Sequence, residues 1–382
     1  MQNAETYLKI WFGRFDAVSH RRPDPWLWAP AAMLLLLGLW MVLNTTYFPG
    51  LEKTGDAFHF FKLHLIHIAA GFVVLAVLSQ FSLAGLRRLA KPLFFISVAM
   101  LILIHVPGLG VVRGGARRWL KLGPLILEPS DLVKFSLVFY LAEFLSRRQP
   151  RIRSFADGPL AAFLIVGPVA LLVLKQPDFG TTVMIALILF AMLFAAGARG
   201  WHLAAAGSGA ACIIAFQAVA KSYRMKRLTT FLDPWATARG AGFQLIQSFI
   251  ALGEGGSWGV GLGAGRQKMF YLPESHTDFI FAVIGEEFGL LGSAAVILLF
   301  LLILFRGMRI AHDEPDPFAS LLAVGLTALL SLQAVINVAV VIGLVPTKGL
   351  PLPFLSYGGT SIIMAMAALG ALLALGRRPA VR

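Results

Sequence analysis

The sequence predicts an all-α polytopic membrane protein with about ten transmembrane helices and one large extracytoplasmic loop between helices 7 and 8. Three observations carry that prediction. Of 382 residues, 58% are hydrophobic and only 14% charged, and the mean hydropathy is +0.78, well beyond what the core of a water-soluble domain requires. Apolar blocks of the roughly 20 residues needed to cross a bilayer recur from one end to the other. The longest polar interval, 221–278, falls after the seventh block.

Residues 1–25 carry Lys9, Arg14, Arg21 and Arg22 but no short apolar core with a small-residue cleavage site, so they read as a retained cytoplasmic tail. Tyr7, Leu8, Ile10, Trp11 and Phe15 either line one face of an interfacial helix or belong to a disordered tail. Membrane spans follow near 26–46, 63–83, 92–108, 129–146, 159–175, 181–198, 201–220, 279–305, 318–345 and 355–376. Together, 26–376 make one transmembrane domain, and 377–382 a second cytoplasmic tail. The fourth span is the weakest by hydropathy, because it holds Asp131, Lys134 and Glu143. The lone Cys212 leaves no partner for an intrachain disulfide.

With both termini inside, 17 of the 33 Lys and Arg residues fall on the inner side and 15 on the outer. Positive charge ordinarily marks the cytoplasmic side. Eleven of the 15 lie in two outer loops, 109–128 with Arg113, Arg117, Arg118 and Lys121, and 221–278, so the orientation stands and those loops need a reason. An anion bound at the outer face supplies one: arginine forks match phosphate oxygens in pairs. Anionic lipid headgroups are the alternative. The net charge of +14 follows mostly from topology, and no basic, aromatic-studded soluble module supports nucleic-acid binding.

Within Glu-Pro-Ser-Asp-Leu-Val-Lys (128–134), a helix starting near Pro129 projects Asp131 and Lys134 from one face. A charged pair at that depth either ties helices together or lines a wet cavity, with Lys134 meeting a phosphate and Asp131 fixing it. Gln176-Pro177-Asp178-Phe179-Gly180 separates two apolar runs, as a cavity-lining helix break or as a tight hairpin with a solvent-facing Asp178. In the long loop, Gly259-x-Gly261-x-x-Ala264 fits a dinucleotide fingerprint only superficially, because no strand precedes it. No phosphate-loop, His-Glu-x-x-His or paired-cysteine pattern occurs, which removes ATP-driven transport and zinc hydrolysis. Asp313, Glu314 and Asp316 read as a solvated turn. Any metal would be hard and weakly held, magnesium or manganese shared between one or two carboxylates and a substrate phosphate.

Two stretches concentrate chemistry. Residues 271–289 pass from a polar loop with Glu274, His276 and Asp278 straight into an apolar helix, which places ionisable groups where water meets hydrocarbon. Asp278 is either a functional carboxylate or a cap on that helix. Residues 346–361, with Lys348, Ser356, three prolines and three glycines, forbid a regular helix through most of their length. Such backbone is tolerated at a membrane only where protein or water covers it.

Arg-Arg-Trp-Leu, Pro-Ser-Asp-x-x-Lys, Gln-Pro-Asp-x-Gly-Thr, Leu-Pro-Glu-x-His-Thr-Asp-Phe-Ile-Phe and Leu-Pro-Phe-Leu-Ser-Tyr-Gly-Gly-Thr-Ser occur in that order. In this combination the chain resembles the SEDS family of bacterial cell-wall polymerases from about residue 26 to 376. Ile-Gly-Glu-Glu (284–287) and Pro-Thr-Lys-Gly (346–349) look more like the division branch than the elongation branch.

The resemblance implies a peptidoglycan glycosyltransferase that polymerises lipid II at the outer face of the bacterial inner membrane, at the division septum. A class B penicillin-binding protein, other divisome proteins and membrane lipids are the implied partners. Asp278 matches the family's essential aspartate and would act as general base. Arg117, Arg118 and Lys134 match positions associated with the pyrophosphate and its cavity. Asp131 stands where the family more often has Glu, one methylene longer. Gln176, Asp178, Glu274, His276, Lys348 and Ser356 complete the expected substrate-binding set, His276 and Glu274 through loop positioning or metal contact. Asp278 is expected to stay ionised, helped by nearby water and cations. A lipid II flippase without chemistry, and a division scaffold, are the readings from other classes.

Overall fold

The computed structural model describes residues 24–113, 116–123, 125–219, 229–240, 242–269 and 271–377. Residues 1–23 of the predicted N-terminal tail, 378–382 of the C-terminal tail, and Lys221, Arg224, Lys226 and Arg227 lie outside them. Ten helices match the ten predicted spans: α1 (Pro25–Thr54), α2 (His59–Ser79), α3 (Leu83–Leu103), α4 (Pro129–Ser146), α5 (Ala161–Lys175), α6 (Phe179–Ala195), α7 (Gly200–Val219), α9 (Ile280–Asp313), α10 (Pro317–Val341) and α11 (Gly359–Gly376). An eleventh, α8 (Phe243–Gly255), lies in the long loop. Among the described residues, six segments are long and apolar enough to cross a membrane on their own: α1, α2, α5 with the turn before it, α9, α10 and α11.

Helix ends follow local chemistry. Asp24 accepts the Trp26 N–H at 3.1 Å with Pro25 at the first helical position, and α1 stops at Gly55, whose φ of 71° suits glycine. α1 runs eight residues past the predicted end: Pro49 and Gly50 lie inside its last turns without ending it, and it stops only where Gly55 takes the left-handed conformation. α3 begins nine residues before the predicted start, capped by Ser82 through the Gly85 N–H at 3.2 Å. The basic residues Arg87, Arg88 and Lys91 had marked that stretch as a loop, yet they sit on helical turns.

The weak hydropathy of α4 has a physical reason. This helix is packed against α3, α6, α10 and α11 and buries Asp131, Lys134, Glu143 and most of its apolar residues, so it faces protein where other spans face lipid. The acidic turn at 313–316 is not merely solvated. Asp316 caps α10 through the Phe318 and Ala319 N–H groups at 2.9 and 3.1 Å and pairs with Arg87 of α3 at 2.9 Å. Arg87 also reaches Glu143 of α4 at 3.1 Å, so three helices meet at one guanidinium.

The 109–128 loop is a three-stranded antiparallel sheet, β1 (Gly110–Arg113), β2 (Ala116–Leu122) and β3 (Leu125–Leu127), in the order β1-β2-β3. Val111 pairs with Trp119 and Val112 with Arg117, which leaves Arg118 as the extra residue of a β-bulge.

The glycine-rich run after α8 docks on a break in α9. At Gly289 (φ 67°, ψ −162°) the helix is interrupted. The carbonyls of Glu286 and Glu287 accept instead from Val260 N–H (3.0 Å) and Gly261 N–H (3.1 Å), and the Leu290 N–H donates to Gly256 O (2.9 Å). The loop therefore satisfies the backbone groups that the break would orphan. The superficial dinucleotide pattern is thus a helix-docking element.

Candidate active site

Four stretches converge at the end of the bundle that carries the sheet: β2, the α5–α6 turn, the segment entering α9, and the loop joining α10 to α11. Their junctions are hydrogen bonds between loop backbone and buried side chains. Asn337 of α10 donates to Asp278 O and to Leu350 O, both at 2.8 Å. Ser356 donates to Thr277 O at 2.6 Å and accepts the Leu352 N–H at 2.8 Å, and the Tyr357 N–H donates to His276 O at 2.9 Å. Ser356 therefore stitches two loops together.

Asp278 is half-buried and does not cap α9. Phe279 occupies the cap position, and no side chain bonds the first turn there. Its carboxylate faces the backbone of Gly349, where a Cβ would lie 3.1 Å from Oδ2. Burial, with Glu274 and Asp178 nearby, pushes its pKa up to about 7, against the opposing pull of Arg118. The expectation of a carboxylate kept fully ionised by its surroundings thus needs revision: near neutrality Asp278 is poised between its two forms. Glu274, exposed and in the left-handed region at φ 54°, accepts from Thr277 Oγ1 at 2.8 Å. His276 lies among Phe60 and Tyr357, with burial holding it below the usual imidazole range.

The second carboxylate, Asp178, is a cap: it accepts the Thr181 N–H at 3.1 Å at the head of α6. It is buried, so the solvent-facing alternative does not hold. Arg118 clamps the same turn, donating to Pro177 O at 2.6 Å and Gln176 O at 3.3 Å, with Nη1 4.0 Å from Asp178. The buried Gln176 donates to Leu101 O at 3.2 Å, so its amide anchors the turn to the end of α3. Lys348 lies 4.8 Å over the Phe179 ring, and burial lowers its pKa while Asp178 opposes the fall.

Two predicted residues stand apart. Arg117 is exposed and lies over Gly110, away from the turn that Arg118 clamps. Lys134 is buried beneath the loops, its ammonium taken by Asp131 at 2.8 Å and by Gln333 Oε1 at 3.2 Å. Gln333 in turn donates to Pro351 O at 2.7 Å, so the pair supports the α10–α11 loop from below.

Sequence reasoning missed Asn337 and Gln333. Their signal was present, two amides four residues apart in an apolar span, hence on one face of one helix. It also passed over Glu128, whose N–H donates to Thr360 Oγ1 at 2.9 Å and whose Oε1 accepts from Ser130 at 3.1 Å. Among the described residues, no three His, Cys, Asp or Glu side chains group in a way that could hold a metal ion.

Apolar helices in a multi-pass bundle, with loops that gather carboxylates, an arginine and a lysine at one end, define a polytopic membrane protein with an ionisable site under its loops. The chain belongs to the FtsW, RodA and SpoVE family, described as cell cycle protein, which it matches over residues 25–379. It is 40% identical over 348 residues to a probable peptidoglycan glycosyltransferase FtsW of Geobacter sulfurreducens, covering 91% of this chain and 93% of that one. It is 39% identical over 355 residues to stage V sporulation protein E of Bacillus subtilis, covering 93% and 97%. Among solved structures, a chain of a peptidoglycan synthase complex that coordinates polymerization and crosslinking matches with a TM-score of 0.76 and 32% identity, over 93% of this chain and 98% of that one. The rod shape determining protein RodA of Thermus thermophilus matches with a TM-score of 0.68 and 27% identity, over 94% and 98%.

Proposed function

We propose that the chain is a peptidoglycan glycosyltransferase that polymerises lipid II at the outer face of the bacterial cytoplasmic membrane, in septal synthesis, with Asp278 as general base. The observation that carries this reading is the state of Asp278: an uncapped carboxylate with a pKa of about 7, neighboured by Arg118 and a lysine-bearing loop. A base works best with a pKa near the operating pH. The names of the relatives point to the same reaction class.

In the proposed step, a sugar hydroxyl of the acceptor attacks the anomeric carbon of the lipid-linked donor. The new glycosidic C–O bond forms as the bond to pyrophosphate breaks, and the electron pair leaves on the phosphate oxygen. The hydroxyl proton passes to Asp278, and a single displacement inverts an α-linked donor into a β-linked product. Arg118 and Lys348 are the cations available to the leaving group, and in a site shielded from water they act strongly. Lys134 and Asp131 hold the loop floor, and Ser356, Gln176 and Asn337 fix the loops that bring these groups together. A magnesium or manganese ion, if the reaction uses one, would have to draw most of its ligands from the substrate, because among the described residues no three His, Cys, Asp or Glu side chains group to hold one.

The loop end of the bundle would face outward and both termini the cytoplasm, which follows from the cations of the short loops at the opposite end. A class B penicillin-binding protein is the proposed crosslinking partner, in keeping with the synthase complex whose chain this one resembles.

The test is polymerisation of purified lipid II by the detergent-solubilised chain with its partner's transpeptidase blocked, comparing wild type with Asp278→Asn. Glycan strands from the wild type and none from a folded variant support the assignment. Equal strands from both would remove Asp278 from the chemistry. No strands from either, even with the partner present, would favour a flippase.

A further inference from the structure

Three carboxylates, Glu128, Asp131 and Asp178, interact around the head of α4, and among the described residues two of them each form an ion pair. Asp131 pairs with Lys134 at 2.8 Å, and Asp178 lies 4.0 Å from Arg118. Glu128 forms no ion pair among the described residues. Its backbone is fixed by Thr360 and its Oε1 by Ser130, while Oε2 has no hydrogen-bond partner among the described residues. An unpaired carboxylate between two others is unfavourable in its charged form.

Ionised, Glu128 would also repel the diphosphate that Arg118 and Lys348 attract. Neutral, it carries one O–H donor next to Asp178, the carboxylate that Arg118 and Lys348 also neighbour. We propose that Glu128 stays a neutral carboxylic acid and donates its O–H to a phosphate oxygen of the bound lipid-linked donor. The inference rests on the polymerase reading given above. In keeping with it, burial, then Asp131 and Asp178, push the pKa of Glu128 up to about 8, with Lys134 and the Ser130 hydroxyl opposing. The charged groups that face it are Asp131 and Lys134 on α4 and Asp178 at the head of α6. Arg118 and Lys348 neighbour Asp178.

The experiment measures lipid II binding on the full-length Asp278→Asn protein, which keeps catalysis out of the readout, from about pH 6.5 to about pH 9.5. With Glu128 present, affinity should fall about tenfold or more as the donor hydrogen bond to a charged group is lost and replaced by repulsion. Adding Glu128→Gln, whose amide donates and cannot ionise, should abolish most of that fall. Adding Glu128→Ala should weaken binding already near neutrality, with Gln recovering most of the loss. Equal pH dependence with Glu and Gln at position 128 would overturn the inference while leaving lipid II as the substrate. Absence of lipid II binding at every pH, in the wild type also, would overturn both this inference and the polymerase reading.

Discussion

The side-chain amide of Asn337 bonds both walls of the site at once, donating at 2.8 Å to the carbonyl of Asp278 and at 2.8 Å to that of Leu350. Asp278 precedes α9 and Leu350 follows α10, so one buried amide sets the spacing between the proposed base and the loop that holds Lys348 and Gly349. A base must lie within hydrogen-bond reach of the proton it takes, and small displacements are costly.

Asn337→Leu removes both bonds and leaves two carbonyls unsatisfied, each a loss of about 1–3 kcal/mol. Polymerisation by Asn337→Leu should fall at least about tenfold, chiefly in kcat, with a lower Tm in detergent. Asn337→Gln should fare better than Leu in both respects. Wild-type kcat in Asn337→Leu would mean that the amide is structural only.

The raised pKa of Asp278 has consequences for stability and for rate. The folded chain keeps this proton up to about pH 7, whereas an ordinary aspartate releases it near 3.8. Between those values the folded state binds more protons than the unfolded one, so this group's contribution to stability is fully present below 3.8 and is lost as pH rises through about 7. Asp278→Asn should therefore match the wild-type Tm near about pH 4 and exceed it above neutrality. An offset independent of pH would contradict the shift. Wild-type kcat/KM should rise with pH through about 7 as the base form fills, then decline through about 8 as Glu128 ionises.

Much of the fold was legible because a bilayer imposes one length and one composition on its spans, so α2, α9, α10 and α11 announce themselves. Their ends were less legible: the basic turns of α3 read as loop, since positive charge marks the membrane edge whether or not the helix stops there. The sheet at 110–127 was invisible because its strands are short and carry Arg117, Arg118 and Lys121. At the site, Gln176 and Ser356 were singled out as substrate-binding and instead hold loops, while Asn337 and Gln333, which hold loops too, were passed over. Asn337 and Gln333 act through backbone carbonyls far away in sequence, and nothing in one sequence states which carbonyl an amide will reach. The ionic environment of Glu128 likewise depends on Asp178, 50 residues later, arriving beside it.

Lys268 and Glu287 form a buried ion pair at 2.6 Å, with side-chain exposures of 2% and 0%. Asn44 of α1 bonds both partners at 2.7 Å, and Gly263 N–H and O bond one partner each, so every charge-bearing group is satisfied. Removing one partner strands the other charge in a buried site. Glu287→Leu and Lys268→Met should each cost about 3–5 kcal/mol, and the double variant carrying both considerably less than their sum. Detergent unfolding of the four proteins checks this, and strict additivity would show that the pair is not coupled.

Gly259 and Gly289 meet backbone to backbone where the long loop docks on α9. A Cβ on Gly289 would lie 2.4 Å from Gly259 N, and one on Gly259 would lie 2.1 Å from Glu287 O. Both residues also have positive φ, 83° and 67° respectively, where an L side chain is strained. Alanine at either position adds a clash to that strain and must push the loop off the break, which exposes the carbonyls of Glu286 and Glu287 that the loop now satisfies. Gly289→Ala is expected to destabilise the protein by more than about 2 kcal/mol. Hydrogen exchange should locate the damage: protection should fall at Val260 and Gly261, whose N–H groups bond the break, and at Leu290, while α10 and α11 stay protected. Gly263→Ala is the control, because its Cβ meets nothing within 4 Å although its φ of 74° is also positive. It isolates backbone strain from collision. If both variants lost equal stability, conformational freedom alone would account for these glycines; a larger loss at Gly289 would show that the close approach of loop and helix is what demands them.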